Sequence, residues 1–303
     1  MHYFKLVRAG NLFFIALTMF LIKYGLFEPF GVAITLNLFG FSLLVLAVIS
    51  VAASGYIIND IYDVKADLQN KPDRTIVNNK ISEKTAYRLF FVLNILGVGL
   101  GFYLSNMIGR PGFAAFFIFG SAILYLYNSQ LQQTLLVGNI LVSLIVGLVP
   151  VGVGLYDLLP AITPQNQQTQ SVIFSILIDY SIFAFLINLL REITKDQQDV
   201  DGDYNSGYRT LPIVLGKNRT NKLLFGLGLV PMGFLIYYTY TYLFENISAV
   251  LYSLFLLMAP LLFYQVSILT ASKKKEYGRL SLTLKIILFF GLISIGLLQF
   301  ILL

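Results

Sequence analysis

Residues 38–58, LFGFSLLVLAVISVAASGYII, carry no charged side chain and run directly into Asn59-Asp60-Ile-Tyr-Asp63-Val-Lys-Ala-Asp67. Twenty-one such residues form a helix of about 32 Å at 1.5 Å per residue, which matches the hydrocarbon thickness of a bilayer. A soluble helix of this length would need a charged or polar face, and this one has none. The segment reads as a membrane span that delivers carboxylates to one membrane surface.

The rest of the chain repeats the theme. With 303 residues, 57% hydrophobic and 12% charged, it is an all-α polytopic membrane protein on composition alone. Nine spans are expected near Asn11–Phe27, Leu38–Ile58, Ala86–Leu104, Gly112–Tyr127, Leu135–Leu155, Val172–Leu190, Leu223–Leu243, Ala249–Leu269 and Leu282–Ile301. Residues 1–303 are expected to form one intramembrane domain. Tyr156–Ile162, with Pro160 and Pro164 nearby and a polar Gln165–Gln168 stretch behind, reads as a loop. The first apolar run follows Lys5 and Arg8 without a small-residue cleavage site and is expected to stay as a helix. The absence of cysteine excludes disulfides, thiolate metal ligands and cysteine catalysis.

A second acidic cluster, Lys195-Asp196-x-x-Asp199-x-x-x-Asp203, follows the first by 136 positions with the same Asp-x2-Asp-x3-Asp spacing. On a helix the offsets 0, 3 and 7 share one face, so each cluster can aim three carboxylates in one direction. With the amino terminus in the cytoplasm, only Lys23 and Arg110 of the 21 Lys plus Arg fall on the outer side, which satisfies the positive-inside rule. Both clusters then lie in cytoplasmic loops, after spans two and six, and can face each other across one cavity.

Ten of the 15 acids lie in these two regions, interleaved with Lys65, Lys71, Arg74, Lys80, Lys195, Arg209, Lys217 and Arg219. A cation path gains nothing from so many bases. A magnesium-bound diphosphate needs both signs: carboxylates for the ion, Lys or Arg for the remaining phosphate oxygens. A donor with a long apolar tail and a diphosphate head fits between helices and loops, and an allylic carbocation formed from it would be stabilised by aromatic faces. The rival class is a cation transporter built on inverted repeats. Against it, both clusters fall on the same side and outside the spans.

At this point the residues resemble a known family. Asn59-Asp-x-x-Asp-x-x-x-Asp67 with Asn70-Lys-Pro-Asp-Arg74 behind it, Arg8-Ala-Gly-Asn11 at the first span, Gly138-Asn139 in the fifth and the second acidic cluster resemble the UbiA intramembrane prenyltransferase superfamily across essentially the whole chain. Arg191-Glu-Ile-Thr-Lys-Asp196, Asp199-Val-Asp-Gly-Asp203 and Thr210-Leu-Pro-Ile213 followed by Gly216 look most like its geranylgeranylglycerol-phosphate geranylgeranyltransferase branch. The resemblance implies nine helices around a central cavity capped by two Asp-rich loops, and Mg2+ bridging the diphosphate of a prenyl donor. It further implies a geranylgeranyl donor and a geranylgeranylglyceryl phosphate acceptor in ether-lipid synthesis. Other branches prenylate aromatic acceptors, which is the alternative.

Carried over by position, Asn59, Asp60, Asp63, Asp67, Asp196, Asp199 and Asp203 are the expected metal ligands, with Asp63 and Asp199 central to catalysis. Arg74, Lys71, Lys195 and Asn11 are the candidates for contacting the prenyl diphosphate. The partners are a prenyl diphosphate, a lipophilic acceptor and membrane lipid, with neither nucleic acid nor an obligate protein partner. The loop after span four, Tyr127–Gln133, departs from the family in having no base. Asp201 falls off the shared face, and Glu192, one turn before Asp196, is placed either to support a metal ligand from behind or to pair with Lys195. Asp179, about 18 Å along the helix from Arg191, is expected to hydrogen-bond a neighbouring helix inside the bilayer. Gly55, Gly97, Gly99 and Gly101 are expected at close helix contacts. His2, the sole histidine, is assigned no role.

Overall fold

The computed structural model describes residues 2–64, 68, 75–131 and 134–302. Among these, nine helices are long and apolar enough to cross a membrane: α1 (Ala9–Phe27), α2 (Leu38–Tyr62), α3 (Glu83–Met107), α4 (Pro111–Leu131), α5 (Val137–Ala161), α6 (Gln167–Asn205), α7 (Lys217–Leu243), α8 (Ile247–Thr270) and α9 (Lys274–Leu297). Each expected span is present. In hydrocarbon every backbone polar group must be satisfied within the segment, so an apolar chain of this composition has little choice but the helix.

Local chemistry sets where the helices start. The side chains of Asn37, Ser82 and Asn246 accept hydrogen bonds from the backbone N–H groups of Gly40 (2.9 Å), Thr85 (3.3 Å) and Ala249 (3.1 Å), capping α2, α3 and α8. Helix α9 begins about two turns earlier than the apolar run suggests. There Glu276 accepts from the backbone N–H groups of Ser272 (2.8 Å) and Lys273 (2.9 Å) and closes the helix start.

Helix α2 packs along α3. At Gly97 a Cβ would lie 2.7 Å from Val51 and 2.9 Å from the Ala47 carbonyl, so only glycine permits this approach. Gly55 is likewise pressed against Leu124, whereas Gly99 faces open space and is not a helix contact.

Two differences from the sequence reading shape the site. Helix α6 has 39 residues, about 58 Å, against a hydrocarbon layer of about 30 Å. The second acidic cluster therefore sits on a helical extension of span six rather than in a loop. No proline interrupts Arg191–Asn205, and Glu192 and Lys195 pair one turn apart on it at 2.7 Å. The second difference lies at the opposite end of the molecule.

There Tyr156–Ile162, expected as a loop, continues α5 helically as far as Ala161, with Tyr156 and Asp157 fully buried. Pro160 falls in the first turn of the final short segment, where its missing N–H breaks no bond. Asp157 accepts from Lys23 Nζ (2.7 Å) and from the backbone N–H groups of Thr35 (3.1 Å) and Leu36 (2.7 Å). Lys23 also donates to the Leu36 carbonyl (2.6 Å), and its ammonium stands 4.8 Å above the Phe41 ring. Lys23 is thus half of a buried ion pair and not a headgroup-facing charge.

Candidate functional site

A cavity of about 1190 Å³ runs among α1, α2, α4, α5, α6 and α9. One end is polar; the interior is lined by Phe14, Val48, Phe116, Val149 and Leu292. Val48 precedes Asn59 by eleven positions, so the apolar wall extends about 16 Å below the polar rim.

The first acidic set occupies the end of α2. Asn59 and Asp60 lie on its last turns, and Asp63 is its C-cap residue. The Arg8 guanidinium donates to both Asn59 Oδ1 and Asp60 Oδ1 and stands 5.0 Å from the Tyr56 ring centre. Burial works against the Arg8 charge, but the neighbouring Asp60, through its charge and its hydrogen bond, more than offsets this and raises the Arg8 pKa above its ordinary value. The Asn59 amide donates to Asp63 Oδ2 (2.8 Å) and to Asn128 Oδ1 (3.0 Å). Asn128 is itself buried and donates to the Leu124 carbonyl (2.7 Å), so α4 braces the end of α2.

The second set lies along the extension of α6. Asp196, Asp199 and Asp203 all line the cavity, while Asp201 is exposed and does not, as the helical spacing requires. Asp196 accepts from the Asn139 amide of α5 (2.8 Å). Glu192 accepts from Lys195 Nζ (2.7 Å) and Arg191 Nη1 (2.9 Å), so one carboxylate orients two bases on the cavity wall.

Tyr208 ties the two sets together. Its backbone N–H donates to the Asp203 carbonyl (2.9 Å), and its hydroxyl donates to Asp63 Oδ1 (3.2 Å). The segment following the second cluster thereby reaches the first.

Of the residues singled out from sequence, Asn11, Asn59, Asp60, Asp63, Lys195, Asp196, Asp199 and Asp203 all line this one cavity. Asp67, Lys71 and Arg74 lie outside the described residues. His2 also stands at the rim. Among the described residues Asp179 makes no hydrogen bond to a neighbouring helix; it lines a separate cavity of about 350 Å³ with Tyr238 and Asn246. Sequence reasoning did not single out Tyr208, Asn128 or Lys285. Lys285 left a readable signal, a base inside an apolar run; Tyr208 left none.

Among the described residues no group of three acids or histidines is gathered tightly enough to hold a metal ion unaided. The donors are nevertheless all oxygens, from two sets lining one cavity, with bases among them. That set fits a hard divalent cation completed by oxygens of an anionic ligand, and it does not fit a soft metal.

The UbiA prenyltransferase family model matches residues 11–293. A digeranylgeranylglyceryl phosphate synthase of Methanobrevibacter smithii is 29% identical over 292 residues, covering 95% of this chain and 96% of its own. A solved structure described as giving insights into digeranylgeranylglyceryl phosphate synthase in membranes superposes with a TM-score of 0.64 at 22% identity, covering 98% of this chain and 96% of the other. A UbiA homologue from Archaeoglobus fulgidus, bound to GPP and Mg2+, gives 0.58 at 18% identity, covering 97% and 99%. With the family match running over nearly all of a chain that has nine candidate spans among its described residues and an acid-rimmed cavity with an apolar interior, the protein belongs to the UbiA prenyltransferase family and is a membrane prenyltransferase.

Proposed function

We propose that this enzyme transfers a geranylgeranyl group from its diphosphate to the free hydroxyl of geranylgeranylglyceryl phosphate, in a Mg2+-dependent reaction that forms an ether bond. The observation that carries this reading is the Tyr208 tether, which joins the two acidic sets at the mouth of one cavity with an apolar interior. The name of the Methanobrevibacter relative and the GPP and Mg2+ bound by the Archaeoglobus homologue support it.

Asn59, Asp60, Asp63 and Asp67 on one side and Asp196, Asp199 and Asp203 on the other would hold the ion. When bound, it neutralises the diphosphate and makes it a better leaving group. The chain's own groups do the rest. Lys195, held by Glu192, and the bases Lys71 and Arg74 supply charge for the remaining phosphate oxygens. Asn11 presents a polar group at the cavity end of α1. Phe14, Phe116 and Phe117 line the interior and exclude water from a reactive allylic centre. The C–O bond to diphosphate breaks, the acceptor oxygen forms the new C–O bond, and its proton is taken up by the released diphosphate.

Residues 1–303 act as one catalytic unit in this reading, and the acidic rim and amino terminus face the cytoplasm. With Lys23 buried in its pair, Arg110 is the one base left for the outer surface, which strengthens the charge argument. The test is incubation of purified protein with geranylgeranyl diphosphate, Mg2+ and geranylgeranylglyceryl phosphate, followed by mass spectrometry. A doubly alkylated glyceryl phosphate is expected; turnover unaffected by a chelator would overturn the metal-dependent mechanism.

A further inference from the structure

Arg191 and Lys285 share a property that no other part of the site explains. Arg191 gives one nitrogen to Glu192 (2.9 Å), but its Nε is buried without a hydrogen-bond partner. Lys285 lies eleven positions into α9, about 16 Å from the helix start. Its ammonium stands 5.3 Å from the Phe14 ring centre and lines the same cavity as Arg191. It makes no ion pair among the described residues, and the cavity that it lines with Arg191 brings a second base to the same interior. Two like charges lining one largely apolar cavity repel, and an anion between them turns that repulsion into attraction.

Their depth separates them from the metal rim. Arg191 precedes Asp196 by five positions and Asp199 by eight, so it sits about 7 to 12 Å further into the membrane along α6. A diphosphate held at the carboxylates has its first prenyl carbon pointing inward, toward this level. Whatever attacks that carbon must bring its head there. The cavity, at about 1190 Å³, also exceeds the roughly 300–1,000 Å³ of a site for one drug-sized ligand, leaving room for a second apolar chain beside the donor's tail.

We propose that Arg191 and Lys285 form an anion site that holds the phosphate of a phosphorylated lipid acceptor, one to two helical turns below the carboxylates. This deepens the functional reading above and rests on it. A planar guanidinium and an ammonium together match the two charges of a phosphate monoester better than either matches a neutral phenol. The pair selects the acceptor by its phosphate, while the carboxylates and the ion handle the donor.

The test compares wild type with Lys285→Met and Lys285→Arg in steady-state transfer, varying geranylgeranyl diphosphate and geranylgeranylglyceryl phosphate in turn. Acceptor binding is measured in parallel by calorimetry without donor or metal. Lys285→Met is expected to raise the acceptor KM about 10- to 100-fold, to weaken acceptor binding by the same factor, and to leave the donor KM within about twofold. Lys285→Arg restores most of the loss. Wild type binds the phosphorylated acceptor more tightly than geranylgeranylglycerol, and Lys285→Met loses that preference. Unchanged donor binding shows that the variant is folded. A rise in the donor KM instead of the acceptor KM, or equal wild-type binding of phosphate and alcohol, overturns the anion site alone. A wild type that prenylates only an aromatic acceptor overturns the functional reading and this inference together.

Discussion

The two ends of the molecule use the same residue types for different purposes. At the closed end one base meets one acid: Lys23 and Asp157 are 2% and 0% exposed. Between them they also take two backbone N–H groups and one carbonyl. At the open end, among the described residues, six acids and six bases line one cavity, with Arg8, Glu192 and Tyr208 cross-linking them and both signs still facing the interior. A charge saturated locally and shut away from solvent is a clamp. Charges of both signs that share an accessible cavity suit a ligand that carries both, as a metal diphosphate does.

The contrast is broken most severely at the open end. Asp63→Ala or Asp199→Ala is expected to cost at least a factor of about a hundred in turnover while leaving an inserted, monodisperse protein. A loss of folded protein in either variant, seen by size-exclusion chromatography, would mean that the open end is a clamp as well. The closed end should behave in the opposite way. Lys23→Ala leaves a buried carboxylate without its cation and should destabilise the fold by about 3–5 kcal/mol, while turnover per folded molecule stays near wild type. Replacing both partners, Lys23→Met with Asp157→Leu, should recover most of that stability in a thermal melt. If the double variant is no better than the single one, the pair's hydrogen bonds to Thr35 and Leu36 matter more than its charges.

The open end was legible in the sequence because its logic is local. Helical spacing alone puts Asp196, Asp199 and Asp203 on one face and Asp201 on another, and an apolar run of 21 residues permits little besides a span. The closed end was not legible. Asp157 lies 134 positions from Lys23, and nothing in the neighbourhood of either residue indicates the other. The prolines around Asp157 signal a loop with equal force, because a proline in a first helical turn looks the same in sequence as one that ends a helix. Tyr208 was hidden for the same reason: its bond to Asp63 spans 145 positions. The length of α6 was missed because hydropathy marks where lipid ends and not where the helix does.

A smaller effect is expected one layer away from the carboxylates. The Asn139 amide fixes Asp196 from a separate helix at 2.8 Å. Groups that orient a metal ligand in this way commonly affect metal affinity by about 10- to 100-fold. Asn139→Ala should therefore raise the Mg2+ concentration needed for half-maximal turnover by about that factor, with turnover at saturating Mg2+ much less affected. A drop in the saturated rate with no change in Mg2+ dependence would move Asn139 from the proposed metal site to the substrate.

Asp201→Asn should have the least effect, and for that reason it tests the geometry most cleanly. Asp201 lies between Asp199 and Asp203 in sequence but is exposed and off the cavity, whereas Asp203 is 9% exposed and on it. Two positions on a helix are about 200° apart, so neighbours in sequence can face opposite environments. Removing a solvated charge there should change stability by no more than about 0.5 kcal/mol and turnover by less than about twofold. A loss as large as that of Asp199→Ala would show that the last turns of α6 unwind when substrate binds. The second cluster would then work as a loop, and the regular helix would describe only the resting enzyme.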